Sequence, residues 1–379
     1  MSLDGVQTEN MKWSWKIFRL MGIDIYVHVT FFILIVWIGL SYWQTEESLI
    51  AVMSGIGFIL ALFTCVVLHE YGHALTARRY GISTRYITLL PIGGVASLER
   101  MPDDPKQEII VALAGPAVNL VIALGLWLWL SLSGTLVAID ELSLTSGPFL
   151  ERLMVVNIMI TVFNMLPAFP MDGGRVLRAV LAMRMNYVQA TRTAASVGQG
   201  LALWLGFLGL LYNPFLIFIA LFVWIGAAAE AGSEQIKSTL AESTVGRAML
   251  TDFQYLSPEA PLSRAIELTL AGSQKDFPVL SEGVMVGVLS QVDLLKGLQS
   301  RGERARVDEY MQDNVQSADI HEPLKEVLVR LQTCKCLLLS VTEENRLVGI
   351  VNIENIMELV RIQTALQEGR GFFTGKSAD

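Results

Sequence analysis

The 379-residue chain is 53% hydrophobic and only 17% charged, with a net charge of −8 and a mean hydropathy of +0.48. Soluble domains carry about 25% charged residues, so an ordinary soluble globule does not describe the whole chain, and the negative balance argues against a nucleic-acid partner. Three cysteines, Cys65, Cys334 and Cys336, make neither a disulfide framework nor a four-ligand zinc site.

The first 22 residues, MSLDGVQTENMKWSWKIFRLMG, lack the charged-then-apolar pattern and small-residue cleavage site of a signal peptide. Lys12, Lys16 and Arg19 mark residues 1–25 as a cytosolic juxtamembrane segment. Apolar runs of about 17–25 residues are long enough to cross a bilayer as helices. Six occur, at about 26–43, 50–75, 107–132, 150–167, 195–211 and 214–232. The connections QTEES (44–48) and 133–148 hold no Lys or Arg. The alternate ones hold Arg78, Arg79, Arg85, Arg100 and Lys106, and then Arg175, Arg178, Arg184 and Arg192. Positive residues stay on the cytoplasmic side, which places both termini in the cytosol; the short N-terminus without a transit-peptide pattern gives a prokaryotic inner membrane as the expected location. Between the second and third runs, ISTRYITLLPIGGVASLER alternates in places around a Pro-Ile-Gly-Gly turn. Two short strands in a membrane-dipping hairpin fit it; an ordinary cytosolic loop is the alternative.

From about Thr244 the composition becomes mixed and charged, and the sequence repeats. VGRAM (245–249) returns as VDEYM (307–311), EAPL (259–262) as HEPL (321–324), and VGVLSQVDLL (286–295) as VGIVNIENIM (348–357), all at an offset of 62 residues. Each unit reads helix, strand, strand, helix, with FPVL and CLLLS as buried strands, and two such units are expected to pack face to face. Cys334 and Cys336 are then expected on one strand, where a bridge between them would be strained, and all three cysteines read as structural thiols. The tail from about Gln367 reads as poorly ordered.

Ionisable residues at the end of the second apolar run need a reason, because each costs about 2.5–3.5 kcal/mol at a bilayer centre. His69 and His73 lie four apart and share a helical face, so both can reach one metal ion. Glu70 beside them is placed to take a proton from water, the pattern of a metalloprotease. Without a metal, they would be polar residues hydrogen-bonded at a helix end. A catalytic zinc needs a third protein ligand. His321 belongs to the repeat and His28 opens the first run, where a structural polar contact suits it. Asp172, in NMLPAFPMDGGR (164–175), follows a segment broken by Pro167 and Pro170. Read from the residues alone it is either the third ligand or the N-cap of the next helix.

HEYGH (69–73) together with NMLPAFPMDGG, GIDIYVH (22–28), PIGGV (91–95) and AGPAVN (114–119) resembles the site-2 protease family of intramembrane zinc metalloproteases. The resemblance implies that His69, His73 and Asp172 hold one zinc and that Glu70 is the general base. It implies weaker roles toward substrate or oxyanion for Asn164, Asn119, Gly93 and Gly94; by itself Asn119 reads as an interhelical hydrogen bond. The repeat resembles a pair of cystathionine-β-synthase-type (CBS) domains, which often bind adenine nucleotides through residues matching Gly287, Ser290 and Asp293. Asn352 and Asn355 replace the Ser and Asp in the second copy.

The expected architecture is therefore a polytopic α-helical membrane protein of about six helices with a membrane-associated β-hairpin, plus a cytosolic α/β tandem CBS domain. Residues 26–235 form the protease domain, 244–300 and 306–362 the two CBS repeats, and 363–379 a tail. The expected activity is hydrolysis of single-span membrane proteins within or near the lipid bilayer, gated by an adenine nucleotide, with homodimerisation through the CBS pair open. The rivals are a protease-like binding protein without catalysis and a CBS-regulated transporter. A transporter would spread charges over several spans, whereas the intramembrane ionisable residues read as gathered at one constellation.

Overall fold

The computed structural model describes residues 13–91, 93–99, 101–102, 104–135 and 147–374. Lys12, Ile92, Arg100 and most of the 133–148 connection lie outside them. Contacts divide the chain into two units, Glu9–Gly232 and a unit from Ser233 onward.

The first unit opens with a four-stranded sheet in the order β1-β2-β3-β4: β1 (Ser14–Leu20), β2 (Ile23–His28), β3 (Thr84–Leu90) and β4 (Gly93–Leu98). Met21 and Gly22 both adopt positive φ and form the two-residue turn that suits a tight hairpin. Ile23, Ile25 and Val27 alternate inward on β2. β2 pairs in parallel with β3, from Asp24 opposite Tyr86 to Val27 opposite Leu89. The 83–98 segment is thus two strands, as the alternation suggested, but half of a larger sheet. The segment expected as a juxtamembrane coil supplies its first strand.

Among the described residues this part of the chain has seven helices, the first two between β2 and β3: α1 (Val29–Glu46), α2 (Leu49–Arg79), α3 (Pro105–Leu132), α4 (Phe149–Asn164), α5 (Asp172–Ala182), α6 (Tyr187–Leu211) and α7 (Phe215–Glu242). Among the described residues, five helices are long and apolar enough to cross a membrane: α1, α2, α3, α6 and α7. The expected span at 150–167 is instead the 16-residue α4 followed by irregular backbone. At 1.5 Å per residue such a helix falls short of a hydrocarbon core about 30 Å thick. The first span begins at Val29 because the residues before it are strand. His28 caps it, its Nδ1 accepting from the Thr30 amide at 3.3 Å.

The second unit holds α8 (Leu262–Ala271), β5 (Phe277–Ser281), β6 (Val284–Leu289) and α9 (Gln291–Arg301). Then come β7 (Ser317–Asp319), α10 (Leu324–Cys334), β8 (Leu339–Glu343), β9 (Arg346–Val351) and α11 (Ile353–Thr374). Each repeat has its own apolar core, Leu262, Phe277, Val279 and Leu289 in one and Leu324, Leu331, Leu339 and Val351 in the other. The sequence offset reappears in space. Val288 exchanges backbone hydrogen bonds with Gln312, and its counterpart Ile350 with Leu250, so each unit pairs with the segment that leads into the other.

Three expectations fail here. Cys334 closes α10 while Cys336 lies beyond it, and the two are paired as a disulfide. Lys335 between them takes a left-handed conformation, φ 54°, which reverses the chain and brings their Cα atoms to 5.1 Å. Cys65 is the free, buried one. The second buried strand begins at Leu339 rather than Cys336. The tail from Gln367 continues as helix to Thr374; residues 375–379 lie outside the described part.

Candidate metal centre

α2 carries His69 and His73 one turn apart, 5% and 3% exposed. Asp172, the first residue of α5, reaches both: its Oδ2 lies 3.2 Å from His69 Nε2 and 3.1 Å from His73 Nε2, and the two Nε2 atoms are 3.1 Å apart. Met171, not Asp172, is the N-cap, and no side chain caps this helix, so the capping alternative for Asp172 does not hold.

The outer ring nitrogens decide what this cluster can hold. His73 Nδ1 is 2.8 Å from the carbonyl of Val111, and His69 Nδ1 is 2.5 Å from Asn119 Oδ1. Both partners accept, so both Nδ1 atoms carry the proton, and the neutral rings turn bare Nε2 lone pairs toward one another and toward a carboxylate oxygen. With both rings neutral, three acceptors converge at one point, which suits a cation. Two imidazoles and one carboxylate with an outer partner on each ring form a donor set that fits zinc. Among the described residues, His69, His73 and Asp172 are the group able to hold a metal.

Local sequence explains how three helices come so close. A Cβ on Gly115 would sit 2.2 Å from His73 Nε2 and 2.7 Å from His69 Nε2, and one on Gly72 would sit 2.6 Å from the Ala114 carbonyl. Hydrogen-only side chains let α3 lie against the imidazole face. α5 is fixed by a buried ion cluster two turns along. Arg178, 1% exposed, donates to Glu108 on α3 at 2.6 and 2.8 Å and to Glu230 on α7 at 2.6 Å. Its guanidinium lies against the rings of Phe169 and Tyr187, and Tyr187 also donates to Glu108 at 3.2 Å. This cluster corrects two sequence expectations. The buried ionisable residues do not all gather at the histidines, and Arg178 is an interior cation rather than a positive charge on a cytosolic loop.

Glu70, half-buried, lines a cleft of about 570 Å³ with His73, Asp172, Asn164, Gly93 and Gly94. Gly94 passes over it so closely that a Cβ would lie 2.9 Å from Glu70 Cγ. Asn119 does not join them. It is fully buried, bonded to His69 through Oδ1 and donating Nδ2 to Asn157 Oδ1 at 2.8 Å, so it meets His69 rather than the cleft. Two residues around the site, one on the cleft and one behind Asn119, escaped the sequence reading. Arg175 lines the cleft with its Nη1 3.7 Å from Asp172 Oδ1, and the i, i+3 spacing from Asp172 is the signal that could have found it. Asn157 is an amide in the middle of the apolar α4, a pattern that marks a buried hydrogen bond without naming its partner.

In the second unit Ser290 caps α9. Its Oγ accepts from the Asp293 amide at 3.1 Å and donates to Asp293 Oδ2 at 2.7 Å. Lys296 and Gln312 also donate to this carboxylate, at 3.0 and 2.6 Å. Burial works against its ionisation, but the donors Ser290, Lys296 and Gln312 outweigh it and hold the carboxyl below its usual range. Gly287 lies beside Met311 and the Gln312 carbonyl, with no room for a Cβ. In the second repeat Asn352 accepts from the Asn355 amide at 2.8 Å. The substitution keeps the cap and drops the carboxylate.

The model of peptidase family M50 matches residues 57–146 and 132–207, and that of the CBS domain matches 245–300 and 307–362. A zinc metalloprotease of Methanocaldococcus jannaschii is 31% identical over 94% of this chain and 99% of its own. A Synechocystis protein also named for zinc metalloprotease activity is 29% identical over 92% and 96%. The solved site-2 protease of Methanocaldococcus jannaschii is 38% identical, covering 58% of this chain and 95% of that one at a TM-score of 0.43. With the HEYGH helix and the zinc-compatible cluster it builds, the chain belongs to the M50 family of site-2 protease-type zinc metalloproteases and carries a tandem pair of CBS domains.

Proposed function

We propose that this protein hydrolyses peptide bonds of single-span membrane proteins within or beside the bilayer. His69, His73 and Asp172 hold one zinc, and Glu70 is the general base. The observation that carries the reading is the placement of Glu70 in the same cleft as His73 and Asp172. A bound zinc supplies Lewis acidity toward a water and the scissile carbonyl. Glu70 takes the proton of the attacking water and returns it to the leaving amine.

β4 is an edge strand, and its residues Gly93 and Gly94 line the cleft. A substrate helix has its own carbonyls hydrogen-bonded and must unwind before attack; adding it to β4 as a further strand holds it extended. Asn164, at the end of α4 and on the same cleft, is placed to donate to a substrate carbonyl. The protease domain then takes in β1 and β2 ahead of the expected start at 26 and runs to about 235, the repeats span 244–300 and 306–362, and both termini are cytosolic in a prokaryotic inner membrane. An adenine nucleotide at Gly287, Ser290 and Asp293 gates activity, and the CBS pair is the surface through which two copies would associate. Asp293 suits ribose hydroxyls as an acceptor, and Ser290 suits phosphate as a donor.

The test is Glu70→Gln against wild type with a co-expressed single-span membrane reporter. Loss of a general base lowers the rate by roughly 10²–10⁴-fold, so cleavage should vanish while zinc per chain stays unchanged. Wild-type cleavage by the variant would remove Glu70 from the mechanism. Full zinc occupancy in Asp172→Ala would remove Asp172 from the ligand set.

A further inference from the structure

Asn157 touches neither His69, Glu70, His73 nor Asp172, yet a line of hydrogen bonds that starts on it ends on His69. It lies on α4, fully buried, as is Asn119 on α3. Asn157 Nδ2 donates to the Leu153 carbonyl one turn back at 2.8 Å. A peptide carbonyl can only accept, so this bond fixes which end of the Asn157 amide carries the hydrogens. The other end, Oδ1, is thereby turned to accept from Asn119 Nδ2 at 2.8 Å. That in turn leaves Asn119 Oδ1 to face His69 Nδ1 at 2.5 Å. An amide oxygen has no hydrogen to give, so Nδ1 must donate and Nε2 is left bare. The direction of every bond follows from the one before it, and the first is set by the main chain.

His73 needs no such relay, because its Nδ1 meets the Val111 carbonyl directly. One histidine takes its tautomer from a peptide group. The other takes it from a peptide group through two asparagines on two helices. An asparagine beside an imidazole does not fix a tautomer by itself, since its amide can turn over and offer hydrogens instead of oxygen.

We propose that Asn157 is a positioning residue for His69: by holding the Asn119 amide in one orientation, it keeps the His69 Nε2 lone pair turned toward the metal position. This rests on the reading of His69 as a zinc ligand. It separates two roles that a buried asparagine pair could have. A pair that merely joins α3 to α4 serves packing, and any break in it should act alike. A pair that orients His69 requires only that an acceptor face Nδ1.

The experiment is a zinc titration of the full chain in detergent, in competition with a chromogenic chelator, alongside melting of the zinc-free protein. Outer partners of metal-bound histidines typically matter by about 10–100-fold in affinity. Asn119→Leu should fall in that range and Asn157→Leu toward its lower end. Asn119→Asp should bind close to wild type, because either carboxylate oxygen accepts from Nδ1, although it no longer donates to Asn157. In that Asn119→Asp background Asn157→Leu should have no further effect on zinc, since no amide is left to turn over. Asn157→Asp keeps an acceptor toward Asn119 and should also stay close to wild type; it serves where the leucine variant does not purify folded. Zinc affinity lowered equally by Asn119→Asp and Asn119→Leu, or lowered by Asn157→Leu in both backgrounds, would assign the pair to packing and overturn the inference. His69→Ala separates the two levels. If it loses zinc while Asn157→Leu binds as wild type, the relay falls and the zinc site stands. If it binds zinc as wild type does, both fall.

Discussion

The two units bury different kinds of side chain. In the membrane unit the buried polar residues include His69, His73, Glu108, Asn119, Asn157, Asp172 and Arg178; in the C-terminal unit they are Gln235, Thr239, Ser243, Ser290 and Ser340. Long helices surrounded by lipid gain little by hiding one apolar side chain from another, because the solvent is itself apolar. What distinguishes one arrangement of α2, α3, α4 and α5 from another is which histidine, asparagine or carboxylate finds its partner. In the C-terminal unit the solvent is water, and Leu331, Val341 or Val279 gains simply by leaving it. Polar groups specify the first unit, and apolar burial specifies the second.

That contrast can be broken by exchanging the kind of change made in each unit. The largest effect is expected from one added carbon in the membrane unit. Gly115→Ala places a Cβ where His73 Nε2 stands, so zinc affinity should fall beyond the roughly 10–100-fold of an outer-partner loss, as read by chelator competition. An alanine variant with wild-type affinity would mean that α3 can back away from the imidazoles. In the C-terminal unit three carbons must be removed for a comparable result. Leu331→Ala, at a site 1% exposed, should lower stability by about 2–5 kcal/mol in a denaturant melt while zinc per chain stays constant. Lost zinc there would show that the units do not act separately.

The smallest effect concerns Asp293, an ionisable side chain bonded to Ser290, Lys296 and Gln312 in the C-terminal unit. Its carboxyl is held below the ordinary value, so the stability it contributes is present above the unfolded value of about 3.9 and is lost as pH falls through the lower folded one. Melts of wild type and Asp293→Asn, recorded against pH, should therefore converge in acid and separate above about pH 4. A constant separation down to acid would show that the carboxylate charge does not stabilise the fold.

The sequence made some of this legible because some signals are local. His69 and His73 sit one helical turn apart in one run, so their shared face follows from periodicity. The 62-residue offset of the repeat mapped directly onto the paired bonds of Val288 and Ile350. Asp172 is 99 residues from His73, and nothing in its own neighbourhood distinguished a ligand from a cap; only the resemblance did. The pairing of β2 with β3 spans a helix pair and leaves no trace in two six- or seven-residue strands. Arg178 read as a loop charge because its meeting with Glu108, 70 residues away, depends on how α5 folds back after Pro170. Cys334 and Cys336 were misread because a left-handed Lys335 is invisible in composition.

The two anchors of the candidate metal cluster on α3, the Val111 carbonyl and the Asn119 side chain, lie on one helix and serve two histidines on another. Substituting residues along the outside of α3 leaves their spacing intact. Inserting or deleting a single residue between them does not. Each residue turns a helix by about 100° and advances it by about 1.5 Å, so only one histidine could keep its bond. The stretch from Val111 to Asn119 thus fixes length as strictly as it fixes Gly115 and Asn119, a ruler marked by one peptide carbonyl and one side-chain amide.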